Sequence, residues 1–422
     1  MVSRLDDDRL LSISAESILV LYVFVGFLEK IHSLLESVLV LDGIVMAFSV
    51  AFIFFYFSRK DSFEFSFYPI SLFLLTFFIL FSSMVGGSSL DRLAVALFSL
   101  VELWAIAIAL SLLRRKVRRI FLIFSVSFLL FSLIYCLFSA LQGFDKGEVR
   151  FEGLSDQSNS LGVMAALSVL FLMVNIRSWG DKVISVVINL FMLLIFLPFF
   201  LYVLVMSDSR TSLIALVISS VFLLVTDLLF IRKGSSLFWS FIPALLVVTA
   251  ALVVIFTNER SLEAYSLSRL TSGRTLIWND TFSVMGLKEY VLGFSGNTDR
   301  MLSAFKEAGI SGVAYTQGEK HLAHNIYLTL LFEYGIIPFL AFVSILFWAL
   351  YKSFSFLSSG RRRGRREVFS SLTLIFFLMI HGIAESSILF IGGAEQLVFI
   401  VSLSLVYCCG REEQKRRDYE ER

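Results

Sequence analysis

The stretch RRKVRRIFLIFSVSFLLFSLIYCLFSAL, residues 114–141, places five basic side chains in six positions ahead of 22 residues that carry no charge. As a helix rising 1.5 Å per residue, the uncharged part covers about 33 Å, enough to cross a hydrocarbon core of about 30 Å. Backbone groups inside lipid must find their hydrogen bonds within the protein, which leaves a helix or a closed barrel. The run does not alternate polar with apolar residues as barrel strands do. It reads as a membrane-spanning helix with a basic anchor on one side.

The pattern repeats along the chain. Of 422 residues 57% are hydrophobic, 46 are Phe and only 17% are charged, against about 25% charged in soluble domains. Apolar runs fall near 11–29, 38–58, 66–84, 92–113, 120–141, 159–176, 183–205, 210–231, 236–256, 324–351, 368–384 and 390–409. The expected fold class is all-α: a polytopic integral membrane protein of about 12 transmembrane helices, a single transmembrane domain over 1–422 with one large loop at 257–323 between the ninth and tenth spans. The run from His324 to Tyr351 carries Gly335 and Pro338, so it is expected to start as a short helix before the membrane and to bend there.

Net charge is only +2, but its distribution orients the chain. Taking loops alternately, one set holds 24 Lys and Arg and the other 12, seven of them in the long loop, which accounts for all 36 and leaves none deep in a span. The positive-inside rule makes the richer set cytoplasmic and puts both termini inside. The N-terminal MVSRLDDDRL precedes an apolar run without a small-residue cleavage site, and reads as a retained first span. The basic groups Arg114 to Arg119 and Arg361 to Arg366 read as anchors touching anionic lipid headgroups. Cys136, Cys408 and Cys409 lie within or at the ends of spans, which gives neither a disulfide framework nor a CxxC metal pattern.

Function should concentrate in the two longer outer loops, 142–158 and the one beginning at Thr257. Glu102, His381 and Glu385 are ionisable residues in or at the end of spans, and a polar side chain satisfied by a neighbouring helix accounts for each. In SDSRTS, residues 207–212, Asp208 or Ser209 can cap the eighth span, which puts Arg210 in its first turn. A cation is disfavoured beside a helix N-terminus unless it snorkels into water or an anion offsets it. The arrangement recurs in LTSGRTLIW, residues 270–278: Ser272 can cap a short amphipathic helix running to about Gly286 on the membrane surface, with Arg274 in its first turn. Two such Arg residues on one side of a membrane would together suit a phosphate or pyrophosphate.

The long loop closes with HLAHNIYL, residues 321–328. His321 and His324 are three apart, but no nearby Cys, Asp or further His completes a metal site. At a helix start the dipole favours a neutral imidazole able to accept a proton, while a bound pyrophosphate would pull the other way. An interfacial His bonded to backbone is the alternative for His324.

Together RFEGLSDQSN (150–159), SDSRTS around Arg210, SGRTLIW around Arg274, VLGFSGN (291–297) and HLAHNIYLTLLFEYGIIPFL (321–340) resemble the O-antigen ligase and polymerase superfamily of bacterial surface-polysaccharide assembly. The resemblance covers about residues 150–350 and implies a GT-C-like, metal-independent, inverting glycosyltransferase in the bacterial inner membrane, with no cofactor and its active site facing the periplasm. It implies an undecaprenyl-pyrophosphate-linked glycan as donor and either a lipid-linked glycan or lipid A-core as acceptor. Membrane lipids surround it, no nucleic acid is involved, and a chain-length regulator is a candidate protein partner. Residue by residue, it implies that Arg210 and Arg274 hold the donor pyrophosphate and stabilise it as leaving group, and that His324 is the base on the acceptor hydroxyl.

Arg150 could be a third donor contact or merely solvated. Tyr327 and Asn325 flank the base, placed to orient it or the acceptor, with Asn325 equally suited to cap a helix. The motifs do not separate polymerase from ligase; the tail HNIYLTLLFEYGIIP leans towards polymerase. A polysaccharide flippase is a further alternative, which the lack of Lys or Arg deep in a span disfavours.

Overall fold

The structure is a computed structural model that describes residues 13–25, 47–53, 75–82, 84, 97, 101, 104–106, 108–109, 117–146, 151, 154, 158–176, 191–230, 244–245, 247–248, 274–294, 298–309, 324–359, 364–385 and 394–420. All regular structure among them is helical. After short helical stretches at 13–25, 47–53 and 75–82 come α1 (Val117–Lys146), α2 (Ser158–Ile176), α3 (Met192–Met206) and α4 (Arg210–Phe230). Three short helices follow, α5 (Arg274–Val284), α6 (Leu287–Leu292) and α7 (Thr298–Glu307). The chain ends with α8 (Ile326–Thr329), α9 (Ile336–Ser358), α10 (Arg365–His381) and α11 (Ala394–Glu420).

Four helices are long and apolar enough to cross a membrane, Val117–Gly143, Ser158–Asn175, Arg210–Phe230 and Ile336–Ser358, and shorter apolar helices occupy Ile13–Val25, Met192–Met206 and Ala394–Gly410. A polytopic membrane protein follows. The expected twelve spans include segments near 38–58, 66–84, 92–113 and 236–256 that fall largely outside the described residues.

Burial is inverted relative to a soluble bundle. In α1 the hydroxyls of Ser125, Ser132 and Ser139, seven residues apart, are buried, while Leu122, Val126, Leu130, Ile134, Leu137 and Leu141 are exposed. In α4 the inner face holds Ser212, Ser219, Ser220, Thr226 and Asp227, while Ile214, Ile218, Val221 and Val225 face outward. Water would penalise such outer stripes; lipid does not, and small polar residues inside let helices approach closely. Ser132 of α1 hydrogen-bonds Ser168 of α2 in this way.

The centre of the molecule is α2 and α10. α2 is buried along nearly its whole length between α1, α3 and α4, and α10 is packed by α4, α9 and α11. Phe222 of α4 stacks on Phe376 of α10 with ring centroids 4.0 Å apart. α3 opens with a π turn, Met192–Phe196, immediately ahead of Pro198. Proline has no N–H to donate back into that turn, which widens it.

The expected break before the tenth span is present. α8 continues into a π turn, Leu330–Tyr334, stops at Gly335 with φ 88, and restarts as α9. A side chain at Gly335 would lie 2.2 Å from the carbonyl oxygen of Val291, so only glycine lets α6 come so close. Phe294 N–H donates to the Phe332 carbonyl at 2.7 Å on the same seam. Met285, Phe294, Met301, Phe305, Leu331 and Phe332 form a second, smaller core that fastens α5 to α7 onto this break. The start of α5 is thereby held at the end of the bundle where α10 finishes.

Candidate functional site

The last residue of α10 is His381, and the chain leaves it through Gly382, Ile383, Ala384 and Glu385. The starts of four helices touch this five-residue exit. From α2, Asn159 Nδ2 donates to Glu385 Oε1 at 2.7 Å. From α4, Ser212 Oγ lies 3.2 Å from His381 Nε2. Arg274, the first residue of α5, donates to the Ala384 carbonyl and, at 3.0 Å, to Glu385 Oε1. Ile326, the first residue of α8, donates its N–H to the Gly382 carbonyl at 2.8 Å. Each helix start brings positive partial charge from N–H groups without an intrahelical partner. Their convergence makes this end of the bundle favourable for an anion.

Arg210 and Arg274 begin their helices as expected from the sequence, but their settings differ. Arg274 is mostly enclosed, with its side chain 13% exposed and held by Glu385. Arg210 is 59% exposed and pairs loosely with Asp208, with Nε 3.8 Å from Oδ1. That separation is too long for a good hydrogen bond, and it leaves a broad guanidinium face towards solvent. The turn before Arg210 is tightly built: Ser207 Oγ donates to the Leu204 carbonyl, and Ser209 Oγ donates to Ser212 Oγ at 2.9 Å. Ser272, the expected cap of α5, lies outside the described residues.

His324 precedes the cap rather than lying in the helix. Asn325 is the cap of α8, its side-chain oxygen accepting from Tyr327 N at 2.9 Å and Leu328 N at 3.0 Å. His324 itself has φ 44, and Asp208 before Arg210 has φ 49; they are the non-glycine residues with positive φ among the described residues. Left-handed backbone at residues with a Cβ is costly, and such strain gathers at functional sites. His324 Nδ1 faces Glu385 Oε2 at 3.9 Å. Tyr327 donates its hydroxyl to the Met379 carbonyl at 3.0 Å, which braces α8 against α10.

Glu385 joins these groups. Burial pushes its carboxyl up, but the facing His324, then the charges of Arg274, His381 and His324 itself, outweigh that and hold it below the usual range. A carboxylate is therefore present among the helix starts at neutral pH. Among the described residues no group of three His, Cys, Asp or Glu is placed to hold a metal ion.

Arg274 and His324 are thus brought together on Glu385, and Ser212, two residues after Arg210, touches the same exit of α10. Arg150 and His321 lie outside the described residues. Phe151, next to Arg150, donates its N–H to the Met206 carbonyl at 2.9 Å, at the turn that leads to Arg210. Sequence reasoning placed Glu385 and His381 as satisfied polar residues at a span end and did not single out Asn159 within its motif. The available signal was the sparse polar pattern of HGIAESS, residues 381–387, closing an apolar helix.

Residues 195–343 match the O-antigen ligase family. The resemblance read from the motifs is borne out over that segment, which runs from α3 into α9 and contains Arg210, Arg274, His324, Asn325 and Tyr327. Asn159, His381 and Glu385 come from outside it. Members of the family are membrane glycosyltransferases of the O-antigen ligase and polymerase type. No curated protein matches the chain.

Proposed function

We propose that this protein transfers a glycan from undecaprenyl pyrophosphate to an acceptor hydroxyl at the periplasmic face of the bacterial inner membrane. The observation that carries the reading is the meeting of Arg274 and His324 on one carboxylate, at the exit of α10 that Ser212 also ties to the start of α4, just past Arg210. In this reading the donor diphosphate sits against the starts of α4 and α5. Arg210 and Arg274 meet the charge that builds on the leaving phosphate as the bond from the anomeric carbon to the phosphate oxygen breaks. His324 takes the proton of the acceptor hydroxyl as its oxygen bonds the same carbon from the opposite side, which inverts that centre. Bond energy in the donor drives transfer, and charge neutralisation falls to the guanidinium groups rather than to a metal ion. Arg150, Asn325 and Tyr327 are assigned to the surrounding substrate contacts. Both termini are cytoplasmic, 1–422 forms one transmembrane unit, and 257–323 is its periplasmic loop.

The acceptor we assign is the glycan end of a second lipid-linked chain, which makes the protein a polysaccharide polymerase. The description of the matched family favours a second reading, transfer of finished polymer to lipid A-core. The glycan profile of a deletion strain tests both. A single repeat unit on lipid A-core is the polymerase result; bare core with lipid-linked polymer accumulating is the ligase result. An unchanged profile contradicts both.

A further inference from the structure

The reaction as described leaves Glu385 without a role, although the other polar groups are built around it. Oε1 is occupied by two donors, Asn159 Nδ2 at 2.7 Å and Arg274 Nη2 at 3.0 Å. Oε2 is the oxygen turned to the His324 imidazole, with Nδ1 3.9 Å away. The carboxylate side chain is 14% exposed, and donors from α2 and α5 fix its rotation. His324 is carried towards it by a left-handed backbone turn just ahead of the Asn325 cap. The separation exceeds a hydrogen bond by under 1 Å, and catalytic contacts in substrate-free sites commonly tighten only on binding.

Resting on the reading of His324 as the base, we propose that Glu385 is its positioning residue. It accepts a hydrogen bond from Nδ1–H, which keeps the lone pair on Nε2 for the acceptor hydroxyl. When Nε2 takes that proton, the carboxylate supports the resulting imidazolium. Asn159 holds Glu385 in turn, so α2 contributes to the base although it lies outside the matched segment. Among the described residues, the charged or titratable groups facing Glu385 are Arg274 from α5, His324 ahead of α8 and His381 at the end of α10. Arg274 disfavours the imidazolium and the carboxylate favours it, so removing the carboxylate alone lowers the imidazole pKa.

Glu385→Gln separates this role from simple support of Arg274. The amide oxygen can still accept from Arg274 and Asn159, but its NH2 then faces Nδ1 and selects the opposite tautomer. The test uses the full-length protein in lipid nanodiscs, with undecaprenyl-pyrophosphate-linked repeat units as donor and acceptor, and measures kcat and donor KM across pH. Glu385→Gln should lower kcat about 100-fold or more, leave donor KM within about twofold and move the acidic limb of the profile to lower pH. Glu385→Asp keeps the charge and should retain kcat to within about tenfold of the parent with the limb in place.

An unchanged kcat in Glu385→Gln, or a raised donor KM with kcat and limb unmoved, overturns the proposal. If that variant does not accumulate, Glu385→Asp decides: kcat lowered by no more than about tenfold at unchanged KM supports the role, and raised KM at unchanged kcat overturns it. His324→Ala in the same assay keeps the two readings apart. Near-normal turnover by His324→Ala removes the base itself, whereas an inactive His324→Ala beside a fully active Glu385→Gln removes only the positioning role.

Discussion

Ser212 Oγ lies 3.2 Å from Nε2 of His381, so the first turn of α4 is tied to the last residue of α10 two positions beyond Arg210. Both side chains are fully buried. Ser212→Ala takes away a hydrogen-bond partner of a buried ring and should cost about 1–3 kcal/mol. The effect should appear as a lower thermal unfolding temperature in detergent, with product formation reduced but not abolished. Parental stability in that variant would show that the contact does not hold the two helices together.

Arg210 lies at the surface, and its loss should be felt in chemistry rather than stability. Arg210→Lys keeps the charge but gives up the planar two-pronged contact to a phosphate. The protein should accumulate in the membrane at parental level while surface glycan falls to a small residue, measured by glycan electrophoresis beside an immunoblot. Full-length glycan from the Lys variant would leave Arg210 with no role at the diphosphate.

Two glycines mark approaches that a methyl group would obstruct. A Cβ at Gly162 would lie 2.2 Å from Ser209 Cβ, forcing α2 away from the turn before Arg210. At Gly335, φ 88 adds backbone strain to the 2.2 Å approach to the Val291 carbonyl. Gly162→Ala and Gly335→Ala should each cost about 1–3 kcal/mol. Gly410→Ala, with nothing within 4 Å of the added carbon, is the neutral control. Thermal unfolding of the three variants checks the order, and an equal response at all three positions would contradict the packing described.

Glu385, in the turn beyond α10, makes stability depend on acid. Its folded pKa is lowered from 4.5, so its contribution is fully present above 4.5 and fades as pH falls through the lower folded value. Parent and Glu385→Gln proteins should therefore differ most near neutrality and converge as unfolding is followed down to about pH 3. A difference that grows on acidification would reverse the sign argued here.

Much of this was legible in the chain. Apolar run length located α1, α2, α4 and α10 closely, because lipid demands continuous helices. It missed the C-terminal ends of α9 and α11, which run on to Ser358 and Glu420, past the expected 351 and 409. Gly335 and Pro338 announced the break before α9, and both first-turn Arg residues fell at helix starts. The hub of the site was less legible. Glu385 is 111 residues from Arg274 and 226 from Asn159, and no local periodicity reports that two helix starts face one carboxylate. The left-handed backbone at His324 and Asp208 was equally hidden, since neither Asn325 nor Ser209 as a cap requires it. The inverted burial of α1 and α4 became visible only once their serines were seen to face inward.

The most direct test is transfer by the purified full-length protein in nanodiscs, supplied with undecaprenyl-pyrophosphate-linked repeat units and compared with His324→Ala and Arg274→Ala. The parent should lengthen the glycan and release undecaprenyl pyrophosphate in step with it, and each variant should do so at least about 100-fold more slowly. Near-normal product from His324→Ala, or lengthening without release of undecaprenyl pyrophosphate, would contradict the account.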